Sequence, residues 1–466
     1  MNSLPVGLND WPHLCRGANI PLTRPIVIGI RRENEKKFEA RVPLIPDHVE
    51  QLLHLFEGQV SFIVQPSPFR TFSDEDYRRV GAIVQEDLSN ADIILCVKEV
   101  YPEDLLDHKT YLVFAHVIKG QLHNMPILQA LMQKGITLID YETITNDRGK
   151  RTVFFGRSAG QTGMFETLRA LGQRLTAQGK PCIFDQLKPV YEYADLAEAI
   201  DHLKSMSIKI QEQPEKLGLT EHPLVFAIVG LGNVGQGAQE ILDILPTQAV
   251  LPTELAGLFQ TQYPSGTVFK CLLQKQDILR NRFHQFDAQD YAAHPDLYHS
   301  ILPEMLPYVS VLLNCVFYAP QYPRILPAEA FRDAWLQGAR RLQVVGDLSC
   351  DPPDGSVACS VTSGDLYHPV FDYNPVDGSI CDPFGENSVT VMAVDNLSAG
   401  FPRDASIAFS TMLCDYLPDL VKANLSQKDL SVELPSELYR ATVTHQGELM
   451  PRYRYLEPYL QQCIYA

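Results

Sequence analysis

Leu224-Val225-Phe226-Ala227-Ile228-Val229, followed at once by Gly230-Leu231-Gly232-Asn233-Val234-Gly235, decides how this chain is read. The apolar run has the pattern of a buried strand, and Ala238, Ile241, Leu242 and Leu245 then recur at helical spacing. Strand, G-x-G-x-x-G turn and helix, in that order, form a dinucleotide site. The first glycine permits the tight turn, the second lets a pyrophosphate approach the backbone, and the third lets helix and strand pack closely. The helix N-terminus presents unpaired amides and a positive dipole end to the phosphates. Gly230, Gly232, Asn233, Val234 and Gly235 are therefore the candidate cofactor-binding residues. The turn lies near the middle of the chain, so a nucleotide domain here works with another domain that comes earlier.

With 466 residues the chain suits two or three domains and can bury a substantial core. Apolar content of 45% with 20% charged residues is that of a globular protein rather than a disordered one. A net charge of −17 argues against general nucleic-acid binding, which needs a basic face. Residues 1–24 show no basic segment followed by an apolar core, and no apolar run approaches roughly 18 residues. Neither a secretory signal nor a membrane span is expected. The ten cysteines are scattered singly, without C-x-x-C or a Cys/His cluster. That is the usage of reduced thiols, and a cytoplasmic protein without structural metal is expected.

Working outward from the turn, apolar runs at 26–30, 60–63, 93–97, 111–114 and 136–139 read as short strands, with helical stretches at 46–56 and 125–134 between them. Strands alternating with helices imply a parallel α/β sheet. Met164, Leu168, Leu171 and Leu175 share one side of a helix expected over 161–178, placed as a strut between domains. Beyond the turn, 309–313 and 342–345 read as two more strands. A helix over 402–416, with Pro402 in its first turn, carries the chain back to the first domain. The polar stretch 248–302 is taken as an elaboration of the nucleotide domain.

Lys98 and His116 each follow an apolar strand. Ligands gather at the carboxyl ends of parallel strands, so both side chains can serve one crevice as proton-transfer groups of different pKa. Taken singly, each has a plainer explanation as a solvated lysine or a hydrogen-bonded structural histidine. Glu99 and Glu142 are placed to hold a lysine cationic or to orient a histidine, or are simply solvated. Arg41 is a candidate carboxylate clamp, with an exposed helix-entry arginine as its alternative. Arg151, next to Lys150 and near Phe155, is equally open.

Together these segments resemble a known family. Ile28-Gly29-Ile30-Arg31-Arg32-Glu33 followed by Glu39-Ala40-Arg41-Val42-Pro43-Leu44-Ile45-Pro46 is similar to the opening of the alanine dehydrogenase/transhydrogenase N-terminal superfamily. Narrower matches are Phe114-Ala115-His116-Val117-Ile118-Lys119-Gly120-Gln121, Leu138-Ile139-Asp140-Tyr141-Glu142 and Phe155-Gly156-Arg157-Ser158-Ala159-Gly160. Further along come Gly346-Asp347-Leu348-Ser349-Cys350-Asp351, Val394-Asp395-Asn396-Leu397 and Pro402-Arg403-Asp404-Ala405-Ser406. This set resembles the lysine-ketoglutarate reductases, the lysine-forming saccharopine dehydrogenases, and in particular the reductase half of the bifunctional aminoadipic semialdehyde synthases. The resemblance runs over about 26–455, and a stand-alone reductase is expected.

The resemblance implies roles. Lys98 and His116 match an acid/base pair. Arg41, Gln121, Arg151, Phe155, Ser349, Cys350 and Asp351 match substrate-contacting positions. Val394, Asp395, Asn396 and Leu397 match a segment that returns near the cofactor. It implies two Rossmann-like α/β domains with parallel sheets, separated by a cleft and linked by long helices. An extension over 1–24 precedes a catalytic domain over 25–160 that is completed by 398–466; the dinucleotide domain covers 161–397. The implied reaction is reversible condensation of L-lysine with 2-oxoglutarate to saccharopine, with these small molecules as the partners and the oligomeric state left open. An acid is expected about 20 positions after the glycine turn to bind an NAD ribose diol. Pro252-Thr253-Glu254 stand there with Glu254 opening the next helix, which leans toward NADP(H) over NAD(H), although no arginine stands there either. Cys350 occupies a position where relatives often have alanine. Alternative readings are another amino-acid or opine-type dehydrogenase, such as alanine dehydrogenase, and a non-catalytic nucleotide-binding regulator.

Overall fold

A computed structural model describes residues 22, 24–34, 39–219 and 222–464. The expected extension over 1–24 lies outside the described residues apart from Leu22 and Arg24. The chain forms two compact units, Met1–Phe154 with Pro402–Ala466, and Phe155–Phe401. The first break precedes the continuous helix Gly156–Ala177, which a boundary at 160/161 would cut.

The first unit is built on an eight-stranded sheet. Across it the strands run Glu448–Leu449, Thr442–His445, Thr137–Asp140, Thr110–Phe114, Ile93–Lys98, Ile26–Ile30, Val60–Val64 and Ile83–Val84. The six strands from Thr137–Asp140 to Ile83–Val84 are parallel, and apart from the edge strand Ile83–Val84 their apolar runs are largely buried on both faces, as a helix-covered sheet requires. The sheet is mixed rather than wholly parallel. Thr442–His445 joins antiparallel and returns as a hairpin through Gln446 and Gly447, whose φ angles of 50° and 86° suit a tight two-residue turn.

The second unit has its own eight-stranded sheet, also mixed. Its order is Ile380–Cys381, Val370–Tyr373, Val389–Ala393, Val344–Asp347, Val311–Asn314, Leu224–Val229, Val268–Leu273 and Thr247–Val250. Its antiparallel members are again hairpin returns at one edge. The stretch 248–302 is more than an elaboration: it contributes Val268–Leu273, which pairs along its whole length with the glycine-turn strand.

Helix Gly156–Ala177 starts five residues before its expected point and belongs to the second unit, so it is not a strut. Met164, Phe165, Leu168, Leu171 and Leu175 are buried with Ile241, Leu242, Val311 and Leu313 in one core cluster. Glycines weaken the helical pattern in its first turns, yet they are what lets it pack. At its crossing with helix Asn233–Leu242, a Cβ on Gly160 would overlap the Val234 carbonyl, and one on Gly237 would overlap the Arg157 carbonyl. Gly237→Val is expected to destabilise the protein by about 2–3 kcal/mol, because two backbones would have to separate. An unchanged thermal midpoint in that variant would show that the crossing has room to spare.

Candidate active site and dinucleotide cavity

Four adjacent parallel strands of the first unit bring titratable groups to their carboxyl ends. In sheet order these are Asp140, His116, Lys98 and Glu33, each at or just beyond its strand's last residue. Strand ends are where such a sheet leaves main-chain groups and side chains open to a ligand.

The end that carries Lys98 is irregular. Leu95 pairs with Leu112, but Lys98 pairs with Phe114, so one extra residue is accommodated on the Lys98 strand. Such a bulge bends the strand and redirects its side chains. Glu33 stabilises it: its buried carboxylate accepts the N–H of Val97 at 2.6 Å and of Lys98 at 3.0 Å. Lys98 itself is half-buried.

His116 lies two residues beyond its strand, at φ 54°. Few non-glycine residues adopt this left-handed conformation, and such strain persists only where the surroundings enforce it. Asn124 Nδ2 donates to the His116 carbonyl at 2.8 Å, and the imidazole lies 18° from parallel to Phe114. His116 Nδ1 lies 3.0 Å from Glu99 Oε2. With Nδ1–H donated to that carboxylate, Nε2 is left to exchange a proton. The His116 side chain is 38% exposed and Glu99 15%.

Burial raises two of the carboxyls. Glu33 is pushed up to about 7, mainly by desolvation and further by the charge of Glu39. Asp140, fully buried, is likewise pushed up to about 7 by desolvation and then by Glu142. These acids stood in the sequence after apolar runs, but nothing in their spacing distinguished a buried carboxyl from a solvated one. Because Asp140 titrates higher folded than at its ordinary 3.8, the folded state holds the extra proton between those values. Its contribution is present below about pH 4 and lost as pH rises through 7. Asp140→Asn should therefore flatten the fall in melting temperature between pH 4 and 8 and add about 2 kcal/mol above pH 7. Parallel curves for the two proteins would contradict this.

Arg41 is 2% exposed and donates from Nε at 2.7 Å and Nη2 at 2.5 Å to the two oxygens of Glu39. Its guanidinium is thus engaged by an internal carboxylate. The segment following it is pinned by helix Pro402–Cys414, where Ser406 Oγ accepts from Val42 N–H and Ser410 Oγ from Ile45 N–H. Arg151 differs: 42% of its side chain is exposed, and Nη2 donates to Glu142 at 2.6 Å. Gln121 is exposed and close to Asn124.

In the second unit, Gly230 makes the turn at φ 95°, and Gly235 sits so close to the Gly230 carbonyl that no side chain fits. A Cβ on Gly232 would meet nothing within 4 Å, because it would project into open space. That space is a cavity of about 570 Å³ whose wall includes Gly230, Gly232, Gln274, Lys275, Tyr291 and Tyr322. The glycine-turn strand has later strands on both sides, Val268–Leu273 on one and Val311–Asn314 on the other. This is the switch point at which α/β sheets bind ligands. The bare backbone at Gly232 and the cavity beside it fit a dinucleotide pyrophosphate. Asn233 and Val234 open the following helix.

Residues 250–254 do not follow the strand beside the glycine turn. Val250 ends the outermost strand, and Glu254 accepts the Leu251 N–H as a local cap. The strand beside the glycine turn is Val268–Leu273, and the residues after it are Gln274-Lys275-Gln276.

Val394 and Leu397 are buried in the second unit's core, Asp395 is exposed, and none of the residues 394–397 lines this cavity. Ser349 Oγ donates to the Val316 carbonyl at 2.5 Å, and Asp351 is exposed. Cys350 is buried at φ 48°, with its thiol pushed up by desolvation. Phe155 precedes the first turn of helix Gly156–Ala177 in the second unit. Among the described residues, no group of three or more His, Cys, Asp or Glu is placed to hold a metal ion, and no helix is long and apolar enough to cross a membrane.

Residues 29–161 match the family described as "Alanine dehydrogenase/PNT, N-terminal domain". Over 448 residues the chain is 35% identical to an "Alpha-aminoadipic semialdehyde synthase" of Arabidopsis thaliana, covering 92% of this chain and 41% of that protein. The chain thus spans less than half the length of that relative. A "Saccharopine dehydrogenase [NAD(+), L-lysine-forming]" of Emericella nidulans is 24% identical over 403 residues, which is 84% of this chain and 90% of that protein. A solved L-alanine dehydrogenase superposes with a TM-score of 0.59 at 17% identity, covering 93% of this chain and all of that one. At that identity the likeness concerns the fold.

Proposed function

We propose that this chain, whose residues 29–161 match the alanine dehydrogenase/PNT N-terminal domain, is a lysine-ketoglutarate reductase. It condenses L-lysine with 2-oxoglutarate and reduces the product to saccharopine, reversibly, using NADP(H) in preference to NAD(H). The observation that carries the reading is the set of strand ends in the first unit. A lysine on a braced bulge and a histidine on an enforced turn supply two distinct proton carriers at the carboxyl ends of adjacent strands. The relationship to an aminoadipic semialdehyde synthase along 92% of the chain supports the choice of substrates.

The reaction needs proton traffic at two atoms. The lysine ε-amine, once deprotonated, attacks the keto carbon; the resulting carbinolamine loses water to an imine, which becomes a secondary amine. His116 serves the carbinolamine oxygen through Nε2, with Glu99 fixing the imidazole. Lys98 serves the amine nitrogen, and Glu33 fixes the strand end from which it projects. Of the two arginines, Arg151 is the more accessible anchor for a substrate carboxylate, and Gln121 adds an exposed amide. Arg41 holds Glu39 in place and reaches substrate only by sharing that pair. A reduced nicotinamide, when bound, supplies the hydride; Gly230, Gly232, Asn233, Val234 and Gly235 hold its pyrophosphate. Ser349, Cys350, Asp351 and Phe155 as substrate contacts, and residues 394–397 beside the cofactor, rest on the family resemblance alone, since none of them lines the dinucleotide cavity.

Initial rates of NADPH and NADH oxidation test this, with 2-oxoglutarate plus L-lysine, L-ornithine or ammonia, and with pyruvate plus ammonia. Lysine with 2-oxoglutarate should be the fastest pair. Faster turnover with pyruvate and ammonia would replace this reading by an alanine dehydrogenase.

A further inference from the structure

The dinucleotide cavity is lined mainly by backbone, apolar and aromatic groups, and Lys275 is the one charged side chain among the described residues of its wall. No aspartate or glutamate is among them. Lys275 follows Val268–Leu273, the strand beside the glycine turn, so it stands where a Rossmann domain meets the adenosine ribose. We propose that Lys275 selects a ribose 2′-phosphate and is the residue that makes this chain prefer NADP(H) to NAD(H). This rests on the dinucleotide reading of the same site and adds the residue and the group it binds.

Three observations carry the assignment. The ammonium lies 4.9 Å from the Tyr291 ring centroid and 5.8 Å from that of Tyr322, so two rings of the cavity wall hold it without neutralising it. No ion pair joins Lys275 to a carboxylate among the described residues. The nearest acid in sequence, Asp277, is turned to its own main chain, where Oδ2 accepts the Gln274 N–H at 2.8 Å. An NAD-selective site places a carboxylate against the ribose diol, and that carboxylate repels a phosphate. Here the position offers a cation, flanked by Gln274 and Gln276, whose side-chain amides are 2.9 Å apart. Lysine binds phosphate as a point charge, so the preference should be electrostatic and sensitive to salt.

The test is equilibrium binding to the full chain, followed by fluorescence titration with NADPH and NADH and by calorimetry with 2′,5′-ADP and 5′-AMP. Wild type should bind NADPH at least 10-fold more tightly than NADH, and raising salt should weaken the 2′-phosphorylated ligands more than NADH and 5′-AMP. Lys275→Ala should weaken NADPH and 2′,5′-ADP at least 10-fold while leaving NADH and 5′-AMP within twofold; Lys275→Arg should retain most of the preference. Lys275 is exposed, so the variants should keep the wild-type melting temperature. Equal weakening of NADPH and NADH in Lys275→Ala, or no preference in wild type, would overturn the role of Lys275 while leaving the cavity a dinucleotide site. Failure of wild type to bind any of the four ligands would overturn the dinucleotide reading as well.

Discussion

Lys98→Met should lower kcat for the proposed condensation by about 10²–10⁴-fold, the range by which one positioned proton carrier accelerates a reaction. Methionine keeps the length and apolar stem of lysine and loses the ammonium. The strand end is held through main-chain N–H groups by Glu33, which the substitution leaves intact. The loss should therefore fall on chemistry rather than on folding, with NADPH affinity unchanged within about twofold. His116→Ala should act similarly, and both variants should lose one limb of the pH–rate profile. Steady-state rates across pH, beside NADPH titrations, provide the check. Wild-type turnover in Lys98→Met would remove the lysine from the mechanism.

The largest expected loss of stability is at Arg174, on the long helix of the second unit. The residue is 1% exposed, and its guanidinium serves five acceptors: Gln343 Oε1, Asp372 Oδ2, Thr390 Oγ1 and the carbonyls of Gly385 and Ser388. Helix and sheet edge are joined through this one side chain. Arg174→Met leaves the fully buried Asp372 without its counter-charge and should cost about 3–5 kcal/mol. Donors that remain on Asp372, among them Thr390 Oγ1 and Gly385 N–H, place the value toward the lower end. Combining it with Asp372→Asn should recover part of the loss, because the uncompensated charge is then gone. Denaturant unfolding of the single and double variants measures both effects. A double variant no better than the single would mean that the packing of the arginine, not its charge, is what matters.

The strands and the glycine turn were legible because burial on both faces writes itself as unbroken apolar runs. Lys98 and His116 could be placed at strand ends for the same reason. Sequence order did not reveal which strand lies beside the glycine turn. The outermost strand, Thr247–Val250, comes first after the turn helix, whereas the neighbour that matters, Val268–Leu273, comes later inside a polar stretch. Two of its residues, Lys270 and Leu272, are only half-buried, which weakens the pattern. The long helix was read from its leucines, but its true start and its partner depend on Gly160 meeting the backbone of another helix, a three-dimensional fact. The Glu33 brace and the Arg41–Glu39 pair were hidden likewise, since a buried carboxylate and a solvated one are spelled with the same letter.

The first sheet recruits a strand from near the far end of the chain. Main-chain N–H of Leu138 meets Thr444 Oγ1 across 306 residues, with the whole of Phe155–Phe401 between them. During synthesis the second unit emerges as one uninterrupted segment and can fold as soon as it clears the ribosome. The first unit must wait with the edge of Thr137–Asp140 uncovered until Thr442–His445 is translated. An open sheet edge attracts other strands. The first unit's exposure to misassembly and to chaperones therefore lasts until the whole of Phe155–Phe401 and then Thr442–His445 have been made.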